Sequence, residues 1–91
     1  MIWEIADALV GEKLAACVNI VPKVQSKFRW QGKIDSANES LLIVKTREVL
    51  LDKVIASVKS KHICTVPEII AMPIVGSNKD YLDWIDESTA G

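Results

Sequence analysis

The sequence predicts an α+β fold of the ferredoxin-like kind, with an antiparallel sheet covered by helices on one face. Two observations lead to this class: a long strand-period run that turns near residue 31, and helix-period segments on both sides of that hairpin. The resulting order is helix, strand, strand, helix, strand, helix. It matches the βαββαβ plan with its first strand missing and a short C-terminal helix added. A length of 91 residues predicts a single domain over residues 1–91.

The first predicted element is an amphipathic helix over residues 2–14. Apolar Ile2, Ile5 and Leu9 recur at helical spacing with the small Ala6, so they share one face. Gly11 weakens this helix near its end.

The predicted hairpin begins with an unusually long strand over residues 15–30. Apolar and polar residues alternate from Val18 to Trp30, which is typical of a strand. Gly32, in the tip sequence WQGK, supplies the positive φ that tight hairpin turns need. At about 3.3 Å per residue the run spans roughly 40 Å, more than the core of so small a domain can cover. We therefore expect the hairpin to bend, for instance at Pro22, or to reach another molecule.

The returning strand leads into the second helix. Polar residues 35–38 predict a bulge or loop, after which the strand resumes over residues 39–45. Thr46 is expected to cap a helix that has Glu48 in its first turn and extends to about Lys61.

The last two elements are a strand over residues 68–75 and a short helix. Pro73 inside the strand indicates an edge position or a bulge. Asn78 is expected to cap the final helix.

Residues 41–44 and 69–72 are apolar on both strand faces. Helices on one side of an antiparallel sheet leave the other side for water. The apolar second face therefore predicts a cover, and a neighbouring subunit's sheet is the simplest one.

Composition and charge exclude several classes of protein. A net charge of −1 argues against nucleic acid as the main partner. No apolar run approaches the roughly 18 residues of a membrane span, and the N-terminus lacks the layout of a signal peptide. A cytoplasmic location is therefore expected, with Cys17 and Cys64 as free thiols.

Five sequence blocks stand in a fixed order along the chain. They are LAACVNIVP at 14–22, WQGK at 30–33, IVKTR at 43–47, VPEIIAMPI at 66–74 and DYLDW at 80–84. Together they resemble the CutA family of divalent-cation tolerance proteins, over residues 5–85. The resemblance implies a response to metal ions and a ferredoxin-like subunit in a tight homotrimer, similar in shape to PII signalling proteins. It also implies that the long hairpin interlocks with neighbouring subunits.

The resemblance also implies copper ligands, namely a cysteine on the first strand and histidines at the end of the second helix. Only His62 matches, because the strand cysteine has no counterpart and Cys17 belongs to a later block. His62 and Cys64 form a His-x-Cys pair suited to Cu(I) or Zn(II). The alternative for His62 is a cation that interacts with the helix C-terminus. No other cofactor is expected beyond copper or another divalent cation.

Five residues of the blocks are implied to line clefts between subunits: Trp30, Lys33, Lys45, Glu68 and Tyr81. In such a cleft the two lysines would hold a small anion between aromatic walls. An interface network of Lys–Glu pairs and aromatic packing explains the same residues equally well.

These features favour a non-enzymatic trimer for divalent-cation, specifically copper, tolerance and homeostasis. The alternatives are a PII-like signalling trimer that binds a small anion, and a structural trimer that assembles other proteins. No Gly-rich phosphate loop, nucleophile–base pair or zinc-type cysteine cluster supports catalysis. Cys17 is expected to be inert and buried, because no cationic residue is next to it in the sequence. Arg47 and the lysines of the second helix predict a solvated basic face.

Overall fold

The computed structural model describes residues 2–61 and 68–90, and its largest element is the predicted hairpin. The elements, in chain order, are α1 (Ile2–Gly11), β1 (Cys17–Trp30), β2 (Lys33–Lys45), a 3₁₀ turn (Glu48–Leu50), α2 (Leu51–Lys61) and α3 (Lys79–Ser88).

Strands β1 and β2 pair antiparallel along their whole length, from Cys17 opposite Lys45 to Trp30 opposite Lys33. Gln31 and Gly32 form the turn with φ values of 50° and 78°. Positive φ at both central residues is characteristic of a type I′ hairpin turn, and glycine adopts it without strain. The bulge or loop predicted at residues 35–38 is wrong. These polar residues pair with residues 25–28 of β1 instead, since their backbone groups are satisfied across the hairpin while their side chains face water.

A β-bulge divides the hairpin at Pro22 and Lys23. Val21 pairs with Leu41 and Val24 pairs with Glu39, so β1 carries one more residue than β2 across this interval. Lys23 has a φ of 62°, and proline is tolerated there because the bulge interrupts the ladder. The irregularity predicted at Pro22 is therefore confirmed.

The bulge also changes which side chains share a face. Leu42 and Val44 pack against the core on the helix side, so Leu41 and Glu39 point away from the helices. Val24 is opposite Glu39 and therefore also points away, as do the alternate residues Ser26, Phe28 and Trp30. The strand predicted from the alternation of Val18 to Trp30 is present, but the bulge shifts the face on which every later residue of β1 lies.

The core lies between α1, α2 and the first part of the hairpin. Its fully buried cluster consists of Ile5, Leu9, Ala15 and Val54. Partly buried side chains surround it: Leu14, Val18, Leu42, Val44 and Val58. Burial of one such aliphatic side chain contributes about 1.5–3 kcal/mol. The predicted buried face of α1 is confirmed at Ile5, Ala6 and Leu9, although the helix ends at Gly11.

The second helix begins differently from the prediction. Arg47 occupies the N-cap of the 3₁₀ turn, and its side chain makes no capping hydrogen bond. The Thr46 hydroxyl instead donates to the Leu14 carbonyl oxygen at 2.5 Å. The cap predicted at Thr46 is wrong because the turn that leads into α2 begins one residue later, with Arg47 at its N-cap. The cap predicted at Asn78 is confirmed, with its side-chain oxygen 3.0 Å from the Asp80 amide nitrogen.

Residues 68–75 form no strand in this structure, contrary to the prediction. A strand needs a neighbour for its ladder, and within the described residues β1 and β2 pair only with each other. The ferredoxin-like plan would place its first strand beside this segment. Ile70 and Met72 are largely exposed here.

Candidate functional site

Two of the predicted cleft residues lie together at the tip of the hairpin. Trp30 ends β1 and Lys33 begins β2, directly opposite it in the ladder. The Trp30 side chain is exposed, as is that of Lys33. Opposite residues on one face lie about 5 Å apart at their Cβ atoms, so the indole and the lysine stem form one exposed unit.

Lys45 lies at the other end of the hairpin, where β2 meets the core. It is half-buried, and its ammonium nitrogen is 3.9 Å from the thiol sulfur of Cys17, its partner in the ladder. Cys17 is itself half-buried. The expectation of an inert Cys17 considered only its neighbours in the sequence, whereas pairing across the sheet places a lysine beside it.

Tyr81 belongs to α3 and lies beside Trp84, with ring centroids 5.5 Å apart and planes tilted by 38°. Both rings are partly exposed, which leaves apolar surface on this helix. Glu68 is exposed and lies outside the helices and strands of the described residues.

A single copy of the chain does not gather the two cleft lysines into one site. Lys45 is twelve positions after Lys33 along the strand, which corresponds to about 40 Å of extended chain. The longest dimension of the structure is 45 Å. A site that uses both ends of the hairpin therefore needs ends from different copies.

The sheet carries an exposed apolar surface on the side away from the helices, which we call the outer face. Its large side chains are between 38% and 50% exposed: Val21, Phe28, Trp30, Leu41 and Ile43. The bulge brings Phe28 and Trp30 to the same side as Leu41 and Ile43, although the pairs Val24–Glu39 and Ser26–Ala37 lie between the two apolar groups. Exposed apolar side chains gathered on one face of a sheet favour an interaction site.

The predicted metal residue His62 and its neighbour Cys64 lie outside the described residues. Within residues 2–61 and 68–90, no three His, Cys, Asp or Glu side chains are grouped so as to hold a metal ion. The described side chains alone therefore do not form a cation site.

Arg47 is a site residue that the sequence does not reveal. Its Nε donates to the hydroxyl of Thr89 at 2.8 Å, although 42 positions separate the two residues. A contact over that distance leaves no local pattern. The predicted solvated role of Arg47 is wrong, since its Nη2 is buried.

Comparison with known proteins assigns the family. A family model described as CutA1 divalent ion tolerance protein matches residues 2–88. The chain belongs to this family. The predicted resemblance is confirmed, and the names of the relatives describe divalent-cation tolerance.

Two relatives show how much of the chain is shared. The divalent-cation tolerance protein CutA of Thermus thermophilus is 53% identical over 85 residues, which cover 93% of this chain and 82% of the relative. The chloroplastic protein CutA 1 of rice, Oryza sativa, is 52% identical over 85 residues, and the match spans 48% of its length. The chain thus spans about half of the rice relative.

Solved structures confirm the predicted ferredoxin-like α+β class. The Thermus thermophilus structure superposes with a TM-score of 0.95 at 50% identity, covering 98% of this chain and 86% of that one. The CutA structure from Archaeoglobus fulgidus, described as periplasmic, gives a TM-score of 0.92 at 48% identity over 96% of this chain and 84% of that one.

The predicted cytoplasmic location is wrong. The rice relative is named a chloroplastic protein and the Archaeoglobus structure is described as periplasmic. The prediction failed because segments that direct a protein to a compartment are separate from the folded domain. Among the helices of the described residues, none has both the length and the apolar character needed to cross a bilayer.

Proposed function

We propose that this chain acts in divalent-cation tolerance as a non-enzymatic homotrimer. The family assignment supports the cation-tolerance role, since its relatives are named for tolerance rather than for a reaction. The observation that carries the assembly is the outer face, which runs from the core to the hairpin tip.

The outer face favours association because the helices pack on only one side of the two-stranded sheet and leave the other side exposed. Leu41 and Ile43 lie on the part of the sheet whose other side contacts the core, and Phe28 and Trp30 lie nearer the hairpin tip. All four side chains are partly exposed. Packing a second sheet on such a surface removes apolar area from water at about 25 cal/mol per Å². The number three comes from the family resemblance.

Sedimentation equilibrium at micromolar concentration tests the assembly directly. A particle of three chain masses is expected, because each outer face is then covered by another. A monomer under the same conditions contradicts the proposal.

Copper is the cation that we propose, with His62 as one ligand. Neutral imidazole is a suitable ligand for copper, and symmetry would bring three copies of His62 into one particle. Copper titration of the parent and of His62→Ala tests this. The variant is expected to lose affinity, and an unchanged titration places the ligands elsewhere.

A second candidate function is binding of a small anion in clefts between subunits. Two observations favour it: Trp30 and Lys33 form an exposed unit at the tip, while Lys45 presents a half-buried cation at the other end. Glu68 and Tyr81 would complete the walls. Crystals soaked in millimolar nucleotide test this function, with density expected beside Lys33 and Lys45. Empty clefts contradict it.

A further inference from the structure

Arg47 lies where three segments of the chain meet. It follows the end of β2, and its Nε donates to the hydroxyl oxygen of Thr89 at 2.8 Å. Thr89 is only 6% exposed, and its hydroxyl donates in turn to the Ile85 carbonyl oxygen at 2.9 Å. The Ala90 amide nitrogen lies 2.7 Å from the carbonyl oxygen of Lys13, which fixes the C-terminal residues against the segment after α1. The guanidinium is therefore held on one edge by a fixed partner.

A second nitrogen of the guanidinium, Nη2, lacks a partner. Arg47 Nη2 is buried and has no hydrogen-bond acceptor, and no ion pair joins Arg47 to a carboxylate of residues 2–61 or 68–90. A buried donor without an acceptor costs about 1–3 kcal/mol, and more when it carries charge. An arginine cannot avoid this cost by losing its proton. Such a group in a native protein calls for an acceptor from outside the chain.

The local charge favours an acceptor that is itself anionic. Arg47 comes two residues after Lys45, which ends β2, so two cationic residues stand close together in the chain here. Among the described residues, the Lys45 ammonium has the thiol of Cys17 as its hydrogen-bond partner and no carboxylate. Charge-assisted hydrogen bonds are roughly twice as strong as neutral ones, and the planar arginine fork matches the oxygens of carboxylate and phosphate.

We propose that Arg47, positioned by Thr89, is the anchor of a binding site for a small oxyanion of the phosphate or carboxylate class. One oxygen of the anion accepts from Nη2, which completes the hydrogen bonding of the guanidinium. The whole Arg47 residue is half-buried rather than enclosed, so a small ion reaches it with a modest side-chain shift. This site is independent of the proposed cation-tolerance role and of the hairpin tip.

Calorimetric titration with inorganic phosphate, and separately with acetate, tests the site. The parent is expected to bind at least one of the two, and Arg47→Gln to bind it about tenfold more weakly or worse, equivalent to about 1.4 kcal/mol. Lys59→Gln is the matched control, because it removes one positive charge from an exposed position on α2. The phosphate and acetate arms distinguish the two classes of anion.

Arg47→Lys separates fork geometry from charge and remains available if Arg47→Gln does not fold. It keeps the charge but loses the planar fork and its Nη2 donor, so weaker binding than the parent is expected. Equal binding by the parent and both Arg47 variants overturns the proposal, as does no binding of either anion to the parent. A change in sedimentation mass for Arg47→Gln, without any anion binding to the parent, also overturns it and assigns the acceptor to a second copy.

Discussion

The two parts of the hairpin differ in what covers them. The base, in which Cys17 to Val21 pair with Leu41 to Lys45, has one face against the core and one outer face. The arm, in which Val24 to Trp30 pair with Lys33 to Glu39, is largely exposed on both faces. An isolated two-stranded hairpin is marginally stable at best in water. The base is therefore stabilised by the core of its own chain, while the arm receives little cover from residues 2–61 and 68–90.

The bulge connects these two parts and gives them a common outer face. If β1 alternated regularly through Pro22 and Lys23, Phe28 and Trp30 would lie on the side of Val18 and the helices. With the bulge, they lie on the same side as Leu41 and Ile43. In the proposed assembly another copy would cover Phe28 and Trp30 of the arm, whereas the apolar residues of the base are divided between the core and the outer face.

The largest expected effect on the free energy of unfolding is in the core that packs against the base of the hairpin. Leu9 is completely buried, so Leu9→Ala should lower the free energy of unfolding by about 2–5 kcal/mol through lost burial and a residual cavity. Urea unfolding measures the loss. Val10→Ala, at the exposed neighbouring position of α1, is the matched control and should change stability by less than about 0.5 kcal/mol. Equal losses for the two variants would mean that the core is misplaced.

The next effect separates the two faces of the arm. Phe28→Asp places a charge on the outer face and should weaken association by about 2 kcal/mol or more, as at a binding hot spot. Ile34→Asp is the control, because Ile34 pairs with Arg29 on the opposite face. Sedimentation velocity over a dilution series should show dissociation of the first variant only. Dissociation of both, or of neither, would contradict the division into faces.

A smaller effect is expected where the base joins the first helix. Thr46→Val removes the hydroxyl that donates to the Leu14 carbonyl oxygen, which should cost about 1 kcal/mol. Thermal unfolding checks this change, with Ser40→Ala as a control at an exposed position of β2. If Thr46 were instead a helix cap, Thr46→Asn would preserve stability, since asparagine caps well.

The smallest effect is at the bulge itself. Lys23 has a positive φ, so Lys23→Gly should relieve strain and raise the free energy of unfolding by about 0.5–1 kcal/mol. Lys27→Gly, in the regular part of the arm, should lower it because glycine weakens a strand. Chemical unfolding of both variants measures the two changes. The same sign for both would argue against the left-handed conformation at Lys23.

Local patterns account for the features that the sequence predicted correctly. The hairpin turn, the buried face of α1 and the Asn78 cap each depend on residues a few positions apart. Features that depend on distant partners were missed. Thr46 bonds to Leu14 rather than to its own helix, Arg47 contacts Thr89, and residues 68–75 need a neighbouring strand to pair.

The residues of the candidate site also differ in how far the sequence could predict them. The resemblance named Trp30, Lys33, Lys45, Glu68 and Tyr81, and these remain a proposal because the two ends of the hairpin lie far apart in one copy. His62 remains a proposal because it lies outside the described residues. The sequence could not reveal the unpaired Nη2 of Arg47, because the burial of this atom depends on contacts with residues distant in the sequence, such as Thr89.

The bulge at Pro22 and Lys23 also limits how the length of the arm can change. Adding or removing an even number of residues on both strands beyond the bulge changes the reach of the arm and leaves its outer face intact. An odd number on both strands turns every side chain nearer the tip to the other face. Deletion of Lys23 would remove the bulge but leave Val24 opposite Glu39, so Phe28 and Trp30 would keep their face, whereas deletion of Val24 and Glu39 together would turn them to the helix side. We therefore expect the number of residues in the arm to vary among relatives more readily than whether that number is odd or even.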